Sequence, residues 1–192
     1  PTILGELERL LTLQARAQAK AAGGGLKEVF APYRSDCLKQ GGWSDFQLFA
    51  NGQKDVQHCK MCPQTAAVVA AQPAFNQVLC GAHFFSRLTP RSHIGAHCGP
   101  SNLRLRVHLG LKVPPGCRIR VGEEVRTWTA GECLIFDDSF EHEVWHDGDD
   151  DRVVLICDMW HPEMDMARDI VPSLTPPERA TLEAAQRAAH QP

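Results

Sequence analysis

From about residue 42 to residue 160 the sequence breaks into short runs of alternating character, each closed by turn residues. The runs are "WSDFQLF", "HFFSRL", "LRLRVHLGL", "CRIRVG", "VRTWTAG", "ECLIFDD", "HEVWH" and "RVVLICDMW", with Pro114-Pro115-Gly116 and Gly148-Asp149-Asp150 among the breaks between them. Seven or eight short strands in about 120 residues predict a mainly β domain, a sandwich or a jelly roll. The run opening at Arg104 alternates most cleanly. Leu105, Val107, Leu109 and Leu111 take one face, and Arg104, Arg106, His108 and Gly110 take the other. Two readings of that second face stand side by side: an exposed strand surface, or the wall of a site for an anion.

The flanks read differently. Residues 3–20 carry leucines at helical spacing and stop at Gly23-Gly24-Gly25, which predicts an amphipathic helix. Residues 63–79 are Ala-rich with no turn signal before Gln72-Pro73, so a helix is expected there too. After "HPEM", Thr175-Pro176-Pro177-Glu178 opens a short polar helix. The expected organisation is an N-terminal helical flank at 1–41, a β domain at 42–164 and a tail at 165–192.

Composition narrows the class. A chain of 192 residues that is 43% hydrophobic can bury one ordinary core. A formal net charge of −3 argues against nucleic acid as a partner. No stretch approaches the roughly 18 apolar residues of a membrane span, and nothing resembles a signal peptide. The first residue is Pro1, so the expectation is a piece of a longer polypeptide whose targeting or anchoring segment would lie upstream. Eight cysteines fall short of a disulfide scaffold. Cys133 and Cys157 sit inside apolar runs, where a cysteine is expected to act as a small core residue.

Among nine histidines, His97 and His142 each lie where a β run meets a loop. In a jelly roll two such imidazoles can converge on a metal from opposite strands. A second grouping, Cys59 and Cys62 in "HCKMCP" with Cys80 and His83 in "CGAH", has the C-x2-C and C-x2-H spacing of a structural zinc site. A Cys59–Cys62 link or plain thiols would account for the same letters.

The strings "HCGPSNLRLRVHLGL", "GCRIRVGEEVRTWTAGECLIFDDSFEHEVWH" and "DDRVVLICDMWHPE" together resemble the core of the aspartyl/asparaginyl β-hydroxylase family, over about residues 42–164. The resemblance implies a double-stranded β-helix, a cupin-like jelly roll with flanking N-terminal and C-terminal helices. It implies a dioxygenase that uses Fe(2+), O2 and 2-oxoglutarate to hydroxylate a peptide or protein side chain, at the β-carbon of Asp or Asn. By the same resemblance His97 and His142 ligate the iron, and Ser86, Arg106, His108, Arg152 and Trp43 hold or line the cosubstrate. Arg104, Asp138 and His93 would lie on the substrate side, while His161 in "WHPE" receives no ligand role.

The wider superfamily reads His-x-Asp where this chain has His97-Cys98-Gly99, and the family itself is similar in carrying Gly there. Its secreted-side members carry a disulfide near Cys59 and Cys62. Its animal members are anchored in the endoplasmic reticulum membrane with the domain in the lumen, so membrane attachment would come only through a segment absent from this chain; otherwise the expected compartment is cytoplasmic. Two other readings stay open at this point: a non-catalytic protein that binds metal and 2-oxoglutarate on the same fold, and a zinc-stabilised interaction module. Without the resemblance Asp137-Asp138 would be read as a turn and Trp43 as a core aromatic.

Overall fold

A computed structural model of the chain describes residues 2–21, 28–33, 35–75, 78–165 and 180. In chain order its elements begin with helix α1 (Thr2–Ala21) and strands β1 (Ala31–Pro32), β2 (Leu38–Gln40), β3 (Trp43–Ala50) and β4 (Gln53–Lys54). Helices α2 (Val56–Met61) and α3 (Pro63–Ala70) and a 3-10 turn (Pro73–Phe75) follow. Then come β5 (Ala82–Leu88), β6 (Ser92–His97), β7 (Arg104–Lys112), β8 (Cys117–Val121) and β9 (Glu124–Arg126). The last strands are β10 (Cys133–Phe136), β11 (His142–His146) and β12 (Arg152–Trp160).

Two antiparallel sheets face each other, as the jelly-roll expectation requires. The larger runs β1-β3-β5-β12-β7-β10, with β4 folded back on β3; the smaller runs β2-β6-β11-β8-β9. Strand β12 explains the layering. Its run "VVLIC" is apolar at every position because both faces are covered. Val153, Leu155 and Cys157 point to a cluster under the helices with Leu7, Leu10, Phe46, Leu48 and Phe85. Val154 and Ile156 point the other way, into a cluster between the sheets with Phe84, Leu88, Ile94, Ile119 and Val144.

The same two-sided burial corrects the reading of β7 as a strand with one exposed face. Val107, Leu109 and Leu111 pack on the helix side, while Arg104 and His108, each 5% exposed, are enclosed between the sheets. The cationic face is therefore inside the molecule.

The N-terminal segment is stitched into this layered core. Leu7 and Leu10 of α1 are fully buried, and the Glu6 carboxylate accepts bonds from the backbone N–H of Gln64 (3.0 Å) and Thr65 (2.8 Å) and from the Thr65 hydroxyl (2.5 Å). The N-cap of α3 is Cys62, which makes no side-chain cap bond, so a carboxylate from another helix satisfies the first amides instead. Gln14 accepts from the amides of Val29 and Phe30, tying the chain after α1 to the same helix.

Several local expectations shift. The helix expected over 63–79 ends at Ala70, and only a 3-10 turn follows around Pro73. Of "VRTWTAG", Val125 and Arg126 pair in an edge strand that opens at Glu124, and residues 127–129 leave it. Strand β6 was not anticipated, since "SHIGAH" carries one large apolar residue, Ile94. Cys133 is exposed on edge strand β10, whereas Cys157 is buried as expected. The turn at Pro114-Pro115-Gly116 is present, with Gly116 at φ +87°, where a side chain would be strained. Among the described residues no helix is long and apolar enough to cross a membrane. The C-terminal helix expected from Thr175 lies outside the described residues.

Candidate active site

His97 ends β6 and His142 begins β11, and the two are direct cross-strand partners. Their rings lie 4.1 Å apart between centroids. Each Nδ1 meets the carbonyl two residues before its own: His97 that of Gly95 at 2.8 Å, His142 that of Phe140 at 3.0 Å. A carbonyl only accepts, so each Nδ1 carries the proton and each Nε2 keeps a free lone pair, the tautomer a divalent metal requires. Burial lowers the His142 pKa, against the Phe140 carbonyl, and so favours the neutral form.

Among the described residues no group of three or more His, Cys, Asp or Glu is placed to hold a metal, so the protein offers two imidazoles here. Gly99, at the superfamily's carboxylate position, lies against Asp138. A Cβ on Gly99 would meet Asp138 Cγ at 2.5 Å and its oxygens at 2.6 and 2.7 Å. The Asp138 carboxylate thus occupies the space that a side chain at residue 99 would need.

Behind the histidines lies a small cavity of about 30 Å³, lined among others by Ser86, His108, Arg152, Ile119 and Ile156. Two of its polar side chains, Arg152 and His108, hold buried donors without acceptors. Arg152 is 2% exposed, and its Nε and Nη1 have no partner. The Trp128 ring covers the guanidinium at 4.6 Å, and burial pulls its pKa down to about 10, so it remains a cation at neutral pH. His108 Nδ1 accepts from the Trp128 indole N–H at 3.2 Å, which puts the proton of the neutral ring on Nε2, a buried N–H that also lacks a partner. Burial, then Arg152 and Arg106, hold the His108 pKa well below its usual value. Trp43 donates to Ser86 Oγ at 3.0 Å, leaving the Ser86 proton free to turn inward. Unpartnered buried donors are costly, and a cation, an N–H and a hydroxyl around one apolar-walled space fit an anion with a short hydrocarbon body.

A wider cleft of about 340 Å³ opens in front of the histidine pair. It shares Trp43, His97, Arg106 and His142 with the inner cavity and adds Tyr33, Gln47, Cys98, Arg104, Asp138 and Asp158. Here the cations are matched. Arg106 binds Asp158 in a fork, Nε to Oδ1 at 2.8 Å and Nη2 to Oδ2 at 3.0 Å, and its Nη1 lies 3.2 Å from Asp138. Arg104 reaches Asp138 at 2.9 Å and Asp158 at 3.2 Å and donates to the Cys80 carbonyl. Both aspartates are fully buried. Burial is the largest single influence on Arg106 and lowers its pKa, yet the pKa is raised because the Asp158 bond and the charges of Asp158 and Asp138 together outweigh it.

The expected site residues therefore separate. His97, His142, Ser86, His108, Arg152 and Trp43 converge. Arg106 lines the inner cavity with them, and its fork is engaged by Asp158. Asp138 lies in the turn after β10 and is a buried ion-pair partner of Arg104 and Arg106. His93, expected on the substrate side, lies on the outer face of the small sheet, bonded to Glu143 at 2.7 Å and stacked on Trp145. Cys59, Cys62, Cys80 and His83 do not gather: Cys59 Sγ donates to the Leu48 carbonyl, His83 Nε2 meets the Phe75 carbonyl at 3.1 Å, and the cysteines are free thiols. His161 lies beyond β12, its Nδ1 accepting from the Glu163 amide.

Asp158, Trp128 and Tyr33 were missed. Asp158 had a signal, since an acid in an apolar run, in phase with Arg152, must face a buried cation. Tyr33, stacked on Trp43 at 4.0 Å, had none.

The family model described as aspartyl/asparaginyl beta-hydroxylase matches residues 1–162. The aspartyl/asparaginyl beta-hydroxylase of Mus musculus is 42% identical over 159 residues, covering 82% of this chain and 20% of that protein. That of Homo sapiens is 40% identical over 159 residues, with the same coverage of 82% and 20%. The aspartate beta-hydroxylase domain-containing protein 2 of Mus musculus is 39% identical over 136 residues, covering 69% of this chain and 40% of that protein. The chain spans about a fifth of the length of the first two relatives. With a family model that covers both sheets and the N-terminal helix, and relatives near 40% identity over 82% of the chain, the chain belongs to the aspartyl/asparaginyl beta-hydroxylase family.

Proposed function

We propose that this domain is an iron(II)- and 2-oxoglutarate-dependent dioxygenase that hydroxylates a peptide or protein side chain, at the β-carbon of an Asp or Asn residue. The observation that carries the reading is the set of orphaned donors, Arg152 Nε and Nη1 with His108 Nε2, buried behind two imidazoles whose Nε2 lone pairs are free. His97 and His142 would hold the iron, which when bound supplies the redox chemistry that couples O2 reduction and decarboxylation of 2-oxoglutarate to succinate and CO2 with hydroxylation of a C–H bond.

The chain's own part is orientation and exclusion. Arg152 would take the distal carboxylate of the cosubstrate, with His108 Nε2–H and the Ser86 hydroxyl completing its shell. Ile119, Ile156 and Val144 line the same cavity, suit the methylenes of the ligand and keep water away. Trp43, held by Tyr33, orients Ser86. The inner cavity is narrower than the cosubstrate, so the ligand would extend past the histidines toward the cleft, where the peptide side chain enters.

The test is succinate formation by anaerobically iron-loaded protein on exposure to air, with His142→Ala beside it. Succinate that appears only with His142 intact supports the reading, and His97→Ala and His142→Ala are both expected to lose Mn(II) binding. Wild-type metal affinity in either variant overturns the ligand assignment. Binding of both ligands with no succinate across a panel of Asp and Asn peptides would favour a non-catalytic protein on this fold.

A further inference from the structure

Asp158 has no part in the site described so far except as a counter-charge. It sits on β12 in phase with Arg152, faces the interior, and is fully buried. Its two oxygens accept from Arg106 Nε at 2.8 Å, Arg106 Nη2 at 3.0 Å and the Ala82 amide at 2.9 Å, and Arg104 Nη1 lies 3.2 Å away. Both arginines line the outer cleft together with Asp138. A guanidinium has five N–H donors in one plane. The Asp158 fork occupies one edge of Arg106, and Asp138 lies beside Nη1. The bonds drawn thus leave Arg106 with two N–H groups, and its side chain is 16% exposed where that of Arg104 is 7%.

We propose that Asp158 is a positioning residue. Its carboxylate grips one edge of Arg106 so that the remaining N–H groups, in a fixed plane, face the cleft and receive the carboxylate or carboxamide oxygen of the side chain to be hydroxylated. The inference rests on the reading that the outer cleft takes the peptide. The cause is geometric. Arg104 and Arg106 lie two residues apart on one face of β7, and with Asp138 alone they would share a single anion. Asp158 supplies the second charge on the far side, from the neighbouring strand where it is paired with Arg106 in register. Planar recognition of a small oxygen acceptor depends on this immobilisation, since a guanidinium free to rotate loses the in-plane approach.

The experiment needs neither metal nor turnover, so an absence of oxygenase activity would bear on the proposed function alone. The protein is labelled for arginine side-chain nitrogen NMR and titrated with N-acetyl-aspartate N-methylamide, its asparagine counterpart and its alanine counterpart. The first two are expected to shift the Arg106 Nε resonance in the wild type and the alanine compound to leave it in place. Asp158→Asn, close in shape and still able to accept from Ala82, is expected to keep its fold, to speed rotation about the Arg106 guanidinium bonds, and to weaken binding roughly tenfold. In an Arg106→Lys background Asp158→Asn is expected to change binding by less than about twofold, because the effect passes through Arg106.

A merely structural Asp158 would act through Ala82 and the β5–β12 pairing, and its replacement would weaken binding equally in both backgrounds. That result overturns the proposal. So does unchanged rotation of Arg106 in Asp158→Asn, or an Arg106 resonance that none of the three compounds moves.

Discussion

Arg152, buried, and Arg106, largely buried, are cations on adjacent strands of one sheet, and they are treated in opposite ways. Arg106 is gripped by Asp158 and touched by Asp138, and its protonated form is stabilised. Arg152 meets an indole face, its Nε and Nη1 without a partner, and burial lowers its pKa to about 10. A protein gains nothing by enclosing an unmatched cation in its ligand-free state. The matched arginine is finished as folded, whereas the unmatched one is completed by an anion from outside. The comparison therefore makes Arg152, and not Arg106, the arginine that the proposed cosubstrate would complete.

The largest test of that contrast is Arg106→Met. It leaves fully buried Asp158 with Arg104 and one amide, and is expected to destabilise the fold by about 3 kcal/mol in urea unfolding. Arg152→Met should do the opposite. Removing an uncompensated cation is expected to raise the stability of the ligand-free protein by about 1 kcal/mol. The same change should weaken 2-oxoglutarate binding on the order of 100-fold, read by calorimetry with Mn(II) in place of iron. A stability loss in Arg152→Met equal to that of Arg106→Met would erase the distinction between the two arginines.

His108 extends the contrast to pH. Burial and the neighbouring Arg152 depress its pKa in the fold, so as pH falls below about 6.5 the unfolded chain takes up a proton that the folded chain refuses. Stability present above the unfolded value is then lost as pH falls toward the folded one. His108→Gln keeps an N–H donor without the titration. It is expected to flatten the slope of stability between pH 6.5 and 5.5 by up to about 1.4 kcal/mol per pH unit. A slope unchanged from wild type would mean that His108 titrates normally and that Arg152 has little influence on it.

Much of this arrangement was legible in the chain itself. The alternation of β7 put Arg104, Arg106 and His108 on one face, and the apolar run of β12 marked Cys157 as a core residue. The strings around the two histidines pointed to the family, and with it to most of the residues that converge. What the alternation could not say is which face of β7 looks at water. That depends on α1, α2 and α3, whose leucines and alanines cover the other face from distant parts of the chain. The matching of Arg104 and Arg106 is equally non-local. Asp138 arrives from the turn before β11 and Asp158 from β12, and no pattern within one strand announces that a cation already has its partner. Strand β6 was hidden because glycine, alanine and serine fill it. Its Gly95 lies under the Lys39 side chain, a place where bulk would collide.

That strand also supplies the smallest prediction, on two histidines a few residues apart. His97 turns into the barrel toward His142; His93 turns out, where Glu143 and Trp145 receive it at the surface. Exposed pairs of this kind contribute about 0–1 kcal/mol, and Glu143 keeps Arg120 at 3.1 Å when His93 is gone. His93→Ala is therefore expected to shift stability by under about 1 kcal/mol and to leave Mn(II) and 2-oxoglutarate affinities within about twofold of wild type. A larger loss of either affinity would mean that the outer face of the small sheet communicates with the histidine pair through β11, which carries Glu143 and Trp145 on one face and His142 on the other. The inward ring of His97 would then depend on the outward one, and orientation on the strand would no longer be enough to separate a ligand from a surface residue.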